Sequence, residues 1–229
     1  MEAHIAELVR VAQGLLSDSA ANDRVLIAIA GIPGSGKTTL AQKVVAGINT
    51  THGSEIAAMV PMDGYHLTRA QLDLLPDPLT AHFRRGAPFT FDPSSLHTLI
   101  LSLLHLPSPT VSAPSFSHSL KDPVPHAIPI HPYHRIVVFE GNYLALDLPV
   151  WRDIAALFTQ IWFVQVPREV ARARLVKRHL EAGIVQTREE GERRAEANDL
   201  VNGELIKEKV VRVDRWVPYT EDQRWAEEA

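Results

Sequence analysis

Apolar and polar positions follow two different rhythms along this chain. Over residues 4–16, Ile5, Leu8, Val9, Ala12, Leu15 and Leu16 recur at helical spacing, which predicts an amphipathic helix packed on the rest of the molecule. Residues 25–30 and 136–139 are instead unbroken apolar runs, Val-Leu-Ile-Ala-Ile-Ala and Ile-Val-Val-Phe. Such runs predict strands covered on both faces, hence a mainly parallel sheet with helices on either side. Further strands are predicted over 56–61, 160–166 and 210–217, and helices over 39–45, 93–105, 168–182 and 188–209. The helix at 93 carries its own start signal, Asp92 as N-cap and Pro93 in the first turn. Asn22-Asp23 predicts a turn, and residues 67–92 are mixed, with Asp/Pro clusters and the basic pair Arg84-Arg85. Between 107 and 132 stand seven prolines among serines and histidines. This stretch reads as an irregular connection, and its length as a lid or binding loop. There is no internal repeat. The chain is read as one domain over 1–229, with an N-terminal helix in 1–22, a Pro-rich substrate-side loop over 107–134 and an Arg-rich lid over 168–200.

Between the first strand and the helix that follows stands Gly31-Ile32-Pro33-Gly34-Ser35-Gly36-Lys37-Thr38, which matches G-x-x-x-x-G-K-[ST] at every fixed position. Strand, glycine loop and helix together predict the phosphate cradle of an α/β P-loop NTPase. The glycines let backbone N–H groups turn inward to phosphate oxygens, and the helix N-terminus adds partial positive charge. ATP is therefore expected on Gly31, Pro33, Gly34, Ser35, Gly36, Lys37, Thr38 and Thr39, with the Thr38 hydroxyl on Mg²⁺.

Ligands of a parallel sheet sit beyond the carboxyl ends of its strands. Two carboxylates are delivered there: Asp63 after the second strand, and Glu140 closing the strand 135–141. Phosphoryl transfer needs charge neutralisation, in-line placement and a base for the attacking hydroxyl. Glu140 is the expected second Mg²⁺ ligand, and Asp63 the expected base, although Asp63-Gly64 also reads as a plain turn. Arg168, Arg172, Arg174, Lys177 and Arg178 share one predicted helix, with Arg174 and Arg178 on one face. Most of these read as solvated partners of glutamates, and one or two as closing over phosphates.

Composition narrows the partners. Of 229 residues, 45% are hydrophobic, net charge is -4 and the pI is about 6.3, which points to neither a nucleic-acid nor a membrane partner. No cysteine is present, excluding disulfides, thiolate metal sites and cysteine nucleophiles. The start, Met1-Glu2-Ala3-His4, lacks a basic segment before a long apolar one, so no secretory signal is read and a cytoplasmic protein is expected. His118, His126, His131 and His134 show no zinc spacing and read as surface.

Taken together, the motifs resemble the phosphoribulokinase/uridine kinase family of P-loop kinases, and its pantothenate-kinase-like and nucleoside- or fructose-kinase-like members above all. The matching pieces, in order, are the glycine loop, Met62-Asp-Gly-Tyr-His66, Arg85-Gly-Ala-Pro-Phe-Thr-Phe-Asp-Pro93, Ala113-Pro-Ser-Phe-Ser-His118, Val138-Phe-Glu-Gly-Asn142 and Arg174-Leu-Val-Lys-Arg-His179. The resemblance implies ATP, Mg²⁺ and a small-molecule acceptor, with a homodimer left open. It implies Asp63 as base, Lys37 and Arg178 as the cations at the transferring phosphate, and Arg174 beside the nucleotide. Acceptor contacts are implied for Tyr65, His66, Arg85, His118, Asn142, Tyr143 and Asn198. Phe116 stands where pantothenate kinases of this type carry tyrosine, and Asp63-Gly-Tyr-His66 replaces the Asp-Ser-Phe-Tyr of uridine kinases. Two alternatives stay open: a kinase specific for nucleosides such as uridine, and a P-loop NTPase switch without a small-molecule acceptor. Neither an Asn/Thr-Lys-x-Asp guanine-reading stretch nor a Leu-Ser-Gly-Gly signature is present, and Lys37, Asp63 and Glu140 are all in place.

Overall fold

A computed structural model describes residues 2–21, 23–104 and 109–220. Asn22 of the predicted turn, His105 of the predicted helix end and Pro107 at the start of the proline-rich stretch lie outside the described residues.

Strand β1 (Val25–Gly31) is buried along its whole length. It lies at the centre of a five-stranded sheet with β2 (Ala57–Pro61), β5 (Ile136–Gly141), β6 (Gln160–Val164) and β7 (Arg215–Val217), in the order β2-β5-β1-β6-β7. Every pairing in that sheet is parallel, as the unbroken apolar runs predict. The reason for the runs is visible in the packing. Val25, Ile27 and Ile29 face one apolar cluster, with Leu8, Val9 and Ala12 of α1 (Glu2–Asp18) and Leu40, Val44 and Ile48 of α2 (Lys37–His52). Leu26, Ala28 and Ala30 face the other cluster. That cluster takes in Leu96 and Ile100 of α5 (Pro93–Leu103), Trp151 and Ile154 of α6 (Trp151–Ala156) and Ile206 of α9 (Leu200–Glu208). A strand with a core on both faces has no room for a polar alternation.

The helix after the glycine loop is much longer than the predicted 39–45, because its buried stripe continues through Val44 and Ile48. Residues 67–92 hold two short helices, α3 (Arg69–Leu72) and α4 (Pro78–Phe83). The proline-rich stretch is not an irregular connection. It forms an antiparallel ribbon of β3 (Val111–Ser117) and β4 (Asp122–Ile130), with a register shift between Ala113 and Ser115. Proline is tolerated because both strands of a two-stranded ribbon are edges, whose outward N–H groups need no partner strand. Past α7 (Arg168–Glu181), the single helix expected over 188–209 is interrupted. It runs as α8 (Arg188–Arg194), a π-helical turn (Ala195–Asp199) and then α9. The strand expected over 210–217 shortens to β7, while Val210, Val211 and Val213 pack on the core, with Val210 bridging Leu146 and Val211 N donating to the Ala145 carbonyl at 2.9 Å. Among the described residues no helix is long and apolar enough to cross a membrane.

Candidate functional site

Sheet register brings the predicted residues to one edge. Glu140 of β5 is level with Ile29 of β1 and with Pro61 of β2. One residue beyond Pro61 the chain enters a 3₁₀ turn, Met62–Tyr65, which carries Asp63. On the other side of Glu140, β1 runs out into the glycine loop.

The loop is shaped by its glycines. Gly34 and Gly36 have φ of 77° and 88°, a region that costs a side chain strain. Gly36 leads directly into α2, whose first turn has no side-chain cap. Its N–H groups are therefore left for a ligand, and an anion is what they and the helix dipole favour. Lys37, only 9% exposed, folds back with its Nζ donating to the Ile32 carbonyl at 3.4 Å. Burial pushes its ammonium pKa down, opposed by the Glu140 and Asp63 carboxylates. Thr38 Oγ1 donates to Glu140 Oε2 at 3.2 Å. Glu140 is 5% exposed, and burial pushes its carboxyl up to about 7, with Lys37 pulling it down and Asp63 adding to the rise. Asp63 itself is half exposed, at 49% of its side chain, and free to meet a ligand.

A hydroxyl and a carboxylate in contact are hard oxygen donors. They suit Mg²⁺, which takes one or two protein oxygens and completes its shell from phosphates and water. Among the described residues no group of three or more His, Asp or Glu could hold a metal by itself. The donor set therefore fits a metal that arrives with phosphates.

Helix α7 faces the loop. Arg174 Nη1 donates to the carbonyls of Gly34 at 3.3 Å and Ser35 at 3.4 Å, and its guanidinium lies 5.8 Å from the Tyr219 ring centroid. Arg178 is exposed, lines the same small cavity as Gly36, Lys37 and Thr38, and its charge reaches both Lys37 and Glu140. Arg168 and Arg172 instead pair with Glu196, Arg172 also with Glu192, and Lys177 with Glu181. Tyr219 carries no motif of its own. Its place beside Arg174 became visible only in the fold.

The predicted acceptor contacts separate into two groups. His66 stays next to Asp63, its Nδ1–H donating to the Asp63 carbonyl at 2.9 Å, its ring against Phe91 and Phe116. Burial lowers its pKa. His118 is exposed on the ribbon beside Phe116. Asn142 Oδ1 is buried without a partner among the described residues.

The others are committed inside the protein. Tyr143 is fully buried between Phe91 and Trp151, and its hydroxyl donates to the Gly86 carbonyl. A side chain so enclosed cannot touch an acceptor, so the implied contact at Tyr143 is corrected to a core role. Asn198 is likewise buried in the π-helical turn, its amide donating to the Arg85 carbonyl at 3.0 Å, and is corrected to a strut between that turn and the 84–86 segment. Arg85 is bonded to the Lys121 and Leu67 carbonyls and to Asp122 Oδ1, which ties the ribbon turn down. Tyr65, 5% exposed, is packed in the core and lines a cavity behind the turn.

No protein-family model matches the chain. It is 49% identical over 160 residues, 69% of this chain and 93% of the relative, to "ATP-dependent kinase-like protein notR'" of Aspergillus versicolor. It is 40% identical over 191 residues, 83% of this chain and 81% of the relative, to "Putative uridine kinase C227.14" of Schizosaccharomyces pombe. Among solved structures it superimposes on a "putative fructose transport system kinase" from Silicibacter sp. TM1040 with a TM-score of 0.80 and 34% identity, over 92% of this chain and 98% of that one.

Proposed function

Since this chain belongs to the phosphoribulokinase/uridine kinase family of P-loop kinases, we propose that it transfers the γ-phosphate of ATP to an alcohol hydroxyl of a small metabolite. The observation that carries the reading is the meeting of Lys37, Thr38, Glu140 and Asp63 at one sheet edge, with Thr38 in contact with Glu140 at 3.2 Å. The uridine kinase and fructose transport kinase names of its relatives both put a hydroxyl-rich acceptor opposite ATP, and they support that acceptor class here.

Each residue then has a role. The loop N–H groups and Lys37 hold the β- and γ-phosphates. Thr38 and Glu140 would hold Mg²⁺, which when bound would neutralise charge developing on those phosphates. Arg178 closes on the transferring group from α7. Asp63, half-exposed in the 3₁₀ turn directly after β2, accepts the proton of the attacking hydroxyl. His66 holds the Asp63 main chain and so aims that carboxylate. An acceptor approaches from the side of Asp63, His118 and Asn142, which leaves the reaction at the mouth of the sheet and not within its core.

The test is Asp63→Asn measured beside the wild type. ATP binding by calorimetry should hardly change. Phosphate transfer to whichever sugar or nucleoside of a hydroxyl-metabolite panel stimulates ADP release should fall by about 10²–10⁴-fold. Transfer at the wild-type rate removes Asp63 as base. A wild type that hydrolyses ATP steadily, with no acceptor stimulating it, makes the protein a switch NTPase instead.

A further inference from the structure

Behind the turn that carries Asp63 lies a cavity of about 440 Å³, between α5 and the β3–β4 ribbon. Lys37, Thr38, Asp63, Glu140 and Arg178 do not line it; Gly64, Tyr65 and His66 do. The two spaces are separated by a tight contact. A Cβ on Gly64 would stand 2.2 Å from the Pro114 carbonyl oxygen, so the turn is pressed against the ribbon with nothing between. One face of Met62–Tyr65 thus serves the phosphate edge, and the other forms the wall of this second space.

We propose that this cavity is a second small-molecule site, for an uncharged or cationic compound with a compact apolar body and one hydroxyl or amine. The walls supply the apolar part: Leu99 from α5, and Pro114, Pro123 and Pro125 from the ribbon. Proline rings make a rigid apolar surface whose shape is set before a ligand arrives. The polar part is mostly neutral hydroxyl residues with Gln71, His66 and His126, and Asp92 is its one carboxylate. Asp92 is fixed in place by accepting from Ser95 N at 3.0 Å and Ser95 Oγ at 2.5 Å. Tyr65 closes the inner wall, its hydroxyl enclosed and not open to the cavity. No lysine or arginine is among the lining residues, in contrast to the cavity of Lys37, Arg174 and Arg178 at the phosphate edge. An anion, a phosphorylated product included, would meet Asp92 with no lysine or arginine to offset it, and burial holds the neighbouring His66 towards its neutral form. His126, also on the wall, holds a left-handed backbone with φ of 54°, a strained conformation of the sort that gathers at ligand sites. Occupancy would stiffen the turn from behind, and with it the carboxylate on the other face.

The proposal goes beyond the kinase reading and is tested without ATP or acceptor, so either can fail alone. The probes are phenethylamine, phenethyl alcohol and phenylacetate, which share one body and differ in charge. Amide shifts of the isotope-labelled full chain are followed during titration. The amine and the alcohol should shift the Gly64, Leu99 and Ser112 amides saturably at millimolar concentration. Phenylacetate should bind about tenfold more weakly or not at all, a ratio worth about 1.4 kcal/mol. Asp92→Asn, which keeps a competent helix cap, should erase the advantage of the amine over the alcohol. Thr98→Trp, on the exposed side of α5, should fill the space and abolish the saturable shifts. Ser102→Phe, on the same rim, takes its place if that variant does not fold. Absence of saturable shifts at these amides with every probe overturns the proposal. So does equal affinity for phenylacetate, or affinity unchanged in the folded filling variant.

Discussion

Glu140→Gln should make the protein more stable and less active at once. A carboxyl that titrates near 7 where 4.5 is ordinary is being held ionised by the fold at alkaline pH against its burial. At about 1.4 kcal/mol per pH unit, keeping that charge costs about 3 kcal/mol above pH 7. Glutamine fills the same space without the charge. Because the rise to about 7 already includes the Lys37 attraction that opposes it, the gain should approach that same value of about 3 kcal/mol at alkaline pH. The sign follows from proton binding. The folded carboxyl holds its proton more tightly than the unfolded one, so between pH 4.5 and 7 the unfolded chain loses its proton first and wild-type stability falls. The advantage of the variant should thus be full at pH 8 and shrink to roughly a quarter near pH 5. Urea denaturation of both proteins in chelator at the two pH values measures it, and the thermal midpoint should move by several degrees in the same direction. ADP release with an acceptor should collapse in the variant at any practical Mg²⁺ concentration. A variant less stable than wild type at pH 8, or a gap independent of pH, refutes the reasoning about this carboxylate.

Three further outcomes are expected. Lys37→Ala should fold, since its side chain faces ligand space, yet lose about 10²-fold or more of turnover, read by ADP release beside a circular dichroism melt. Tyr143→Phe should leave transfer kinetics near wild type and cost about 1 kcal/mol in denaturant, because it removes only the bond to Gly86; a large loss of turnover at unchanged stability would return Tyr143 to the acceptor site. Arg178→Ala should lower turnover with ATP affinity little changed, and hydrogen exchange over 175–200 should slow in wild type when ATP and acceptor bind together; no slowing with a proven acceptor makes α7 a fixed, solvated helix.

The parts of this fold that could be read in the sequence are those where one physical cause dominates. β1 and β5 were legible because two cores leave no room for polar residues, and the glycine loop because left-handed backbone calls for glycine at Gly34 and Gly36. The ribbon was not legible, because Pro114, Pro123, Pro125 and Pro129 count against a strand unless both partners are known to be edges. The break at Ala195–Asp199 was equally hidden: it leaves no mark in composition and is stabilised by contacts distant in sequence, such as Asn198 to Arg85. For the site, motif order found which residues converge but not which way they face. Tyr143 follows directly on Glu-Gly-Asn, as a contact residue would, and only the Gly86 carbonyl shows that its hydroxyl is already engaged. Tyr219 stood apart from every motif.

Gly34 bears a constraint from the side away from the phosphates. A Cβ there would come within 2.7 Å of the Ala171 carbonyl oxygen and 3.2 Å of Leu175 Cγ, so the loop rests directly on the first half of α7. Loop and helix base then behave as one block, with Arg174 pinned to it through the Gly34 and Ser35 carbonyls. Any swing of the arginine-rich segment must pivot beyond Leu175. Arg178 would travel with the moving arm while Arg174 stays with the frame, so the two arginines, one helical turn apart, are divided between a fixed jaw and a mobile one.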